Sequence, residues 1–290
     1  MLPFNLITYI SMLEKALSIG YNFICFDEIK NLYSRNTLMN VGENEVYKNG
    51  DYNNVKISNS NCLLRHDIDV NLSAAVTMAE AESKLGIKST YFLMWRSPCY
   101  NLMSRANQLH VESIVEFGHQ IGLHYDQGFD SQRQLSASET EEQISQQSDW
   151  LEKLFGIEIS AVSFHQPSSA LLQSGMECRN RINTYDKVKL KDFFYISDSN
   201  RIFSPWHADN LLNNLNQFEK SISNYFPQNI QLLIHPIWWI FEENSTELCW
   251  NKALLNNFEE LQEQLIDTER AYGLKRKLSL ELDNGNKIIS

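Results

Sequence analysis

Positive charge is scarce in this chain of 290 residues: 25 Lys and Arg stand against 36 Asp and Glu, a net charge of −11. So acidic a chain is a poor general binder of nucleic acid or of an anionic membrane. Cysteine is scarce and unpatterned. Cys25, Cys62, Cys99, Cys178 and Cys249 are scattered, odd in number and contain no Cys-x-x-Cys pair, which excludes a disulfide framework and a zinc finger and fits reduced thiols. There is no run of about 20 apolar residues, so no membrane insertion is expected. No basic region precedes the apolar N-terminal residues, and Glu14 and Lys15 interrupt them; a soluble cytoplasmic protein without a signal peptide is expected. No glycine-rich phosphate loop follows a candidate strand, which disfavours a dinucleotide fold, and no repeat of fixed period appears.

Apolar and aromatic residues are plentiful. Hydrophobic residues make up 43%, with six Trp, 12 Tyr and 15 Phe, enough for a substantial core. The length suits one large α/β domain or two small ones. The most informative stretch is Leu63-Leu64-Arg65-His66-Asp67-Ile68-Asp69-Val70. Two apolar residues run into a polar cluster, as a buried strand does when it ends at an open site. Residues two apart share a face of a strand, so Asp67 and Asp69 lie together. Both stay ionised most easily with a cation or an arginine between them. A helix cap near Leu72 would need one carboxylate, not two, and would not call for Arg65 and His66 beside it.

The rest of the chain alternates. Leu6, Tyr9, Ile10, Leu13 and Leu17 have helical spacing up to Gly20; Tyr21–Phe26 reads as a strand and Asp27–Tyr33 as a short helix. A loop over Asn36–Asn61, rich in Asn, Ser and Gly, sets residues 1–60 apart as an N-terminal appendage packed on a main body of 61–290. Further helices are expected over Ser73–Leu85, up to Phe117, from a capping box of Ser138 with Glu141 to Gly156, and over Thr246–Tyr272. The last has Trp250, Leu254, Phe258, Leu261 and Leu265 as a core-facing stripe. Strands are expected over Lys88–Trp95, His119–His124, Ile157–Phe164, Phe193–Ile196 and Ile230–Ile234. This alternation implies parallel strands with crossover helices, best satisfied by a barrel-like closed sheet with its chemistry at the C-terminal strand ends.

Those ends are polar. They read Arg65-His66-Asp67-Ile68-Asp69, Gly122-Leu123-His124-Tyr125-Asp126, Ser163-Phe164-His165-Gln166-Pro167, Ser197-Asp198-Ser199-Asn200-Arg201 and Leu233-Ile234-His235-Pro236. Four histidines at one rim, beside two Asp, suit Zn²⁺ or another divalent metal. Two alternatives remain at this point. Asp67-Ile68-Asp69 has the spacing of the Asp-x-Asp of a metal-dependent glycosyltransferase, and a barrel can also bind carbohydrate without catalysis.

With Ser89-Thr90-Tyr91-Phe92 and Gly118-His119-Gln120-Ile121-Gly122 added, the ordered set over about residues 60–240 resembles the polysaccharide deacetylases of carbohydrate esterase family 4, in a divergent branch associated with surface-polysaccharide biosynthesis. The resemblance implies a deformed (β/α) barrel with one divalent metal, zinc being the best candidate, and a carbohydrate substrate. The activity implied is metal-assisted hydrolysis of an acyl group, N-acetyl, from a sugar. Asp67 matches the base, His235 the acid, Asp69 and His124 metal ligands. Gly128 stands where the family's second histidine ligand is expected, and His165 where an arginine usually orients the base. Either His165 or Asp126 could complete the metal shell, with imidazole the commoner zinc ligand. Arg65, His66, Asp126, Asp198 and Trp206 are the expected substrate or supporting residues; Trp206, Trp238 and Trp239 could form a sugar-stacking wall, although packing is the commoner role of tryptophan.

Overall fold

The computed structural model describes residues 4–31, 60–130, 135–201 and 229–269, with the side chains of 129, 130 and 200 left out, and the backbone of 281–283 and 286–288. Residues 36–59 of the expected loop, Trp206 and the expected helix end at Tyr272 lie outside the described residues.

Eight parallel strands form the main sheet: β1 (Asn22–Ile24), β2 (Asn61–Ile68), β3 (Thr90–Leu93), β4 (Gln120–Asp126), β5 (Ala161–His165), β6 (Ile182–Asn183), β7 (Phe194–Ser197) and β8 (Asn229–Ile234). Their order is β6-β5-β4-β3-β2-β8-β7. Strand β1 pairs with β2 at Asn61–Leu63, and β3 takes over that edge from Arg65 to Ile68. The major helices are α1 (Leu6–Ser18), α2 (Leu72–Lys84), α3 (Arg105–Glu116), α4 (Ala137–Phe155) and α5 (Thr246–Thr268). Helices α2, α3 and α4 are the crossovers that parallel neighbours require. Strands β9 (Glu281–Asp283) and β10 (Asn286–Ile288) form a separate antiparallel pair.

The sheet curls far enough to bring its two ends together. Gln231 on β8 donates to the Thr184 carbonyl just past β6 at 3.0 Å, and the rings of Tyr185 and Tyr195 are 6.1 Å apart, although β6 and β7 are opposite ends of the strand order. A deformed (β/α) barrel results, with no backbone ladder joining β6 to β7 among the described residues. Strand β2 is buried along its whole length, which is why it opens on a continuous apolar run instead of alternating.

One end of the barrel is plugged by Ile24, Phe26 and Ile29, packed on Leu63, Phe92, Ala161 and Ile182. Helix α1 covers the outside, where Tyr9, Met12 and Leu13 meet Ile230, Leu232 and Ile234 of β8. The N-terminal segment therefore packs on the barrel and also supplies one of its strands. Inside, Gly122 is required by close approach: a Cβ there would lie 2.4 Å from Cε1 of Phe92 and 3.1 Å from the Ala161 carbonyl oxygen.

Two local expectations change. Helix α4 is capped by Ser136 with Glu139, two residues before Ser138 and Glu141. Both pairs have the Ser-x-x-Glu spacing, and the earlier one meets the chain where it enters the helix. Most of the α5 stripe does not face the core: Trp250 packs on it, but Leu254 and Leu261 are 45% and 49% exposed. The packed face is built from Cys249, Ala253 and Gln262 with Asn256 and Asn257, whose amides bond Asn71 and, from Asn257, the Val70 and Cys99 carbonyls. Small and hydrogen-bonded side chains let the helix approach loops whose backbone needs partners.

Candidate active site

The pleat of β2 turns Arg65 and Asp67 into the barrel and leaves Asp69 at its rim. Three histidines from neighbouring strand ends surround Asp69. Each presents Nε2 to its carboxylate: His124 at 3.1 Å, His165 at 3.9 Å and His235 at 4.0 Å. Each is approached at Nδ1 from behind, His124 by Ser163 Oγ at 3.1 Å, His165 by Asp126 at 3.5 Å and His235 by Asp198 at 2.6 Å. Burial alone would raise the Asp69 carboxyl. The hydrogen bond with His124 and the nearby imidazoles outweigh it and hold the group at about 2.

Asp67 lies deeper. Its Oδ2 accepts from Arg65 Nη2 at 3.1 Å and from Ser163 Oγ at 3.0 Å, while its Oδ1 has no partner. Arg65 is wholly buried, donates also to the Tyr185 hydroxyl at 2.9 Å, and lies 5.0 Å from the centre of that ring. Burial would lower its pKa, but Asp67 beside it raises it, so the guanidinium stays charged.

His235 begins a short helix, Pro236–Ile240, whose proline fixes the backbone at its first turn. Asp198, fully buried, accepts from both the backbone N–H and Nδ1 of His235, and from Trp239 Nε1 at 2.8 Å. Burial alone would depress the imidazole; the Asp198 carboxylate outweighs it and pushes the group up to about 9. His235 is therefore an imidazolium near neutral pH, with Nε2–H turned towards Asp69.

Proton counting on Ser163 tests whether a metal fits. Its one hydrogen goes to the Asp67 carboxylate, which cannot donate, so His124 Nδ1 must donate to Ser163 Oγ. In neutral His124 the Nε2 lone pair then faces Asp69 Oδ1 at 3.1 Å. Two acceptors that close require something positive between them: a second proton on His124, or a divalent cation. One carboxylate and two imidazole nitrogens match the donor set of a zinc-type site. Asp69 and His124 could hold such an ion with His165 as the looser third ligand. Asp126 stands behind His165, and the Gly128 N–H donates to it at 2.9 Å, so the residue in place of the expected second histidine orients this carboxylate.

The tightest donor cluster among the described residues lies elsewhere. Cys25, Asp27 and Glu28 have ligand atoms all within 4.8 Å of one another. Their own contacts account for them as a helix start: Glu28 accepts from the Cys25 N–H and Asp27 from the Glu28 N–H. Burial pushes the Cys25 thiol up to about 12, away from the thiolate a metal needs.

Not every expected residue joins the site. His66 points to the opposite face of β2, stacks on Tyr91 and bonds Glu82 at 2.8 Å. Glu82 is buried and also accepts from the hydroxyls of Tyr9 and Ser89. His119, whose Nδ1 accepts from the Ser89 N–H, completes this outer network, which ties α1 and α2 to the barrel. Trp238 and Trp239 are buried and form no exposed wall. Ser163 and Tyr185 were not anticipated as site residues: Ser163 shares its strand face with His165 by the period-two rule, and only the fold brings Tyr185 to Arg65. Trp239, expected in a stacking wall, instead bonds Asp198.

No family model matches the chain, and no curated protein matches it. Among solved structures it is similar to a mutant CE4 family pseudoenzyme with restored enzymatic activity, at 16% identity and a TM-score of 0.37 over 70% of this chain and 64% of that one. The chain thus spans less than two thirds of that protein. It is also similar to the chitin deacetylase from Colletotrichum lindemuthianum, at 14% identity and a TM-score of 0.40, covering 69% of this chain and 83% of that one. The peptidoglycan deacetylase PdaC from Bacillus subtilis matches at 15% and 0.38, covering 74% and 96%.

Proposed function

We propose that the chain is a metal-dependent hydrolase that removes an acyl group, N-acetyl, from a sugar or polysaccharide precursor. The observation that carries this reading is an unbonded carboxylate oxygen, Asp67 Oδ1, and an imidazole backed by a buried carboxylate, His235 on Asp198, around the Asp69 cluster. The ordered strand-end motifs support the sugar substrate.

Asp69 and His124, with His165, would hold the ion, zinc being best suited to this donor set. When bound it would polarise the acyl carbonyl and acidify a water. The chain's own residues do the rest. Arg65 and Ser163 occupy Asp67 Oδ2, which fixes the carboxylate and leaves Oδ1 to take the proton of the attacking water. Asp198 holds His235 at Nδ1, so Nε2–H is the proton available to the leaving amine.

Variants separate the roles. Asp69→Ala and His124→Ala should fall well below one zinc per chain. His165→Ala should lose more zinc than Asp126→Ala, the reverse assigning the third ligand to Asp126. Asp67→Asn should keep the metal and lose turnover on the order of 10²–10⁴-fold. Full turnover in Asp67→Asn overturns the assignment of the base.

A further inference from the structure

We infer that Ser163 is a positioning residue that couples the base to the metal centre by fixing the tautomer of His124. This rests on the proposed hydrolase site and adds a member to it. Ser163 is fully buried in the middle of β5, between His124 on β4 and Asp67 on β2. Its Oγ lies 3.1 Å from His124 Nδ1 and 3.0 Å from Asp67 Oδ2.

The direction of this chain follows from the number of hydrogens. Arg65 donates to Asp67 Oδ2, Ser163 donates to the same oxygen, and His124 Nδ1–H donates to Ser163. Only with its hydrogen spent on Asp67 is the serine oxygen purely an acceptor towards the imidazole. His124 must then carry its proton on Nδ1, and Nε2 is left as the lone pair that a divalent cation takes. An alanine would remove the bridge and leave Nδ1 with only Asp67 Oδ2, 3.7 Å away and beyond hydrogen-bond distance, so the ring could place its proton on Nε2, where it competes with the metal. It would also leave Asp67 Oδ2 with Arg65 alone.

The proposal predicts a spectroscopic signature and an affinity change. With ¹⁵N-labelled histidine, the His124 ring of the wild type should show a protected proton on Nδ1, in both the metal-stripped and the zinc-loaded protein. Ser163→Ala should lose that protected proton and bind zinc about 10–100-fold more weakly in competition with a chromophoric chelator. Ser163→Thr, which keeps the hydroxyl, should restore both. Thermal unfolding of each variant shows whether a change is mere loss of fold. A wild-type His124 with its neutral-form proton on Nε2 overturns the inference, as does Ser163→Ala with wild-type signature and zinc affinity. The nitrogen signature is read whether or not any acylated sugar is turned over, which separates this inference from the hydrolase reading.

Discussion

Replacing Asp198 with Asn should convert His235 from a proton donor into a neutral imidazole at neutral pH. Asp198 is fully buried and within hydrogen-bond reach of two donors from His235 and one from Trp239, so Asn keeps the shape and removes the charge. The imidazole then falls from about 9 towards its ordinary 6.5, because burial opposes the charged form and only the weaker pull of Asp69 and Asp67 still supports it. A full drop corresponds to about 3 kcal/mol. At pH 7.5 it would take the protonated fraction from about 97% to about 9%, a loss of up to about 10-fold in acid-dependent turnover before any misorientation of the ring. The alkaline limb of the pH–rate profile of the zinc-loaded enzyme should move to lower pH, towards the ordinary imidazole range. The same movement should appear in the ring chemical shifts of His235. Esters with good leaving groups, which need less protonation, should lose less than amides. An alkaline limb that stays in place, or moves up, would refute the Asp198–His235 assignment.

Gly122→Ala should destabilise the fold by about 1–3 kcal/mol, seen as a lower urea midpoint with unchanged slope, because the new methyl meets the Phe92 ring inside the barrel. Glu82→Ala leaves His66, Tyr9 and Ser89 without their buried partner and should cost about 3–5 kcal/mol in the same assay, with Glu82→Gln milder. The folded-state value of His235, about 9, lies above its ordinary 6.5, so the native state binds this proton more tightly. Its contribution is full below about 6.5 and is lost as pH rises through about 9. Chelator-stripped wild type should therefore lose up to about 3 kcal/mol between pH 6 and pH 10 relative to His235→Gln.

Much of this arrangement was legible in the chain. The alternation of strands and helices led to a curled parallel sheet, and the polar strand ends led to Asp67, Asp69, His124, His165 and His235. The period-two rule that pairs Asp67 with Asp69 also sends His66 to the other face, and applied to β5 it places Ser163 beside His165. Other features depend on long-range neighbours. Asp198 meets His235 because β7 lies beside β8, an order that no local pattern encodes. The α5 stripe misled because periodicity identifies an apolar face without saying what stands opposite it. Here the helix docks through Asn256 and Asn257 on backbone carbonyls and on Asn71. Strand β6, two residues long, is too short for any periodic signal.

The decisive measurement is acetate release from N-acetylated oligosaccharides, with protein stripped by chelator and then reloaded with one equivalent of zinc. Release should appear only after reloading, and Asp67→Asn should lose it at unchanged zinc content. Release that does not respond to metal would contradict the hydrolase reading, as would no release from a broad panel of acylated sugars by fully loaded wild type.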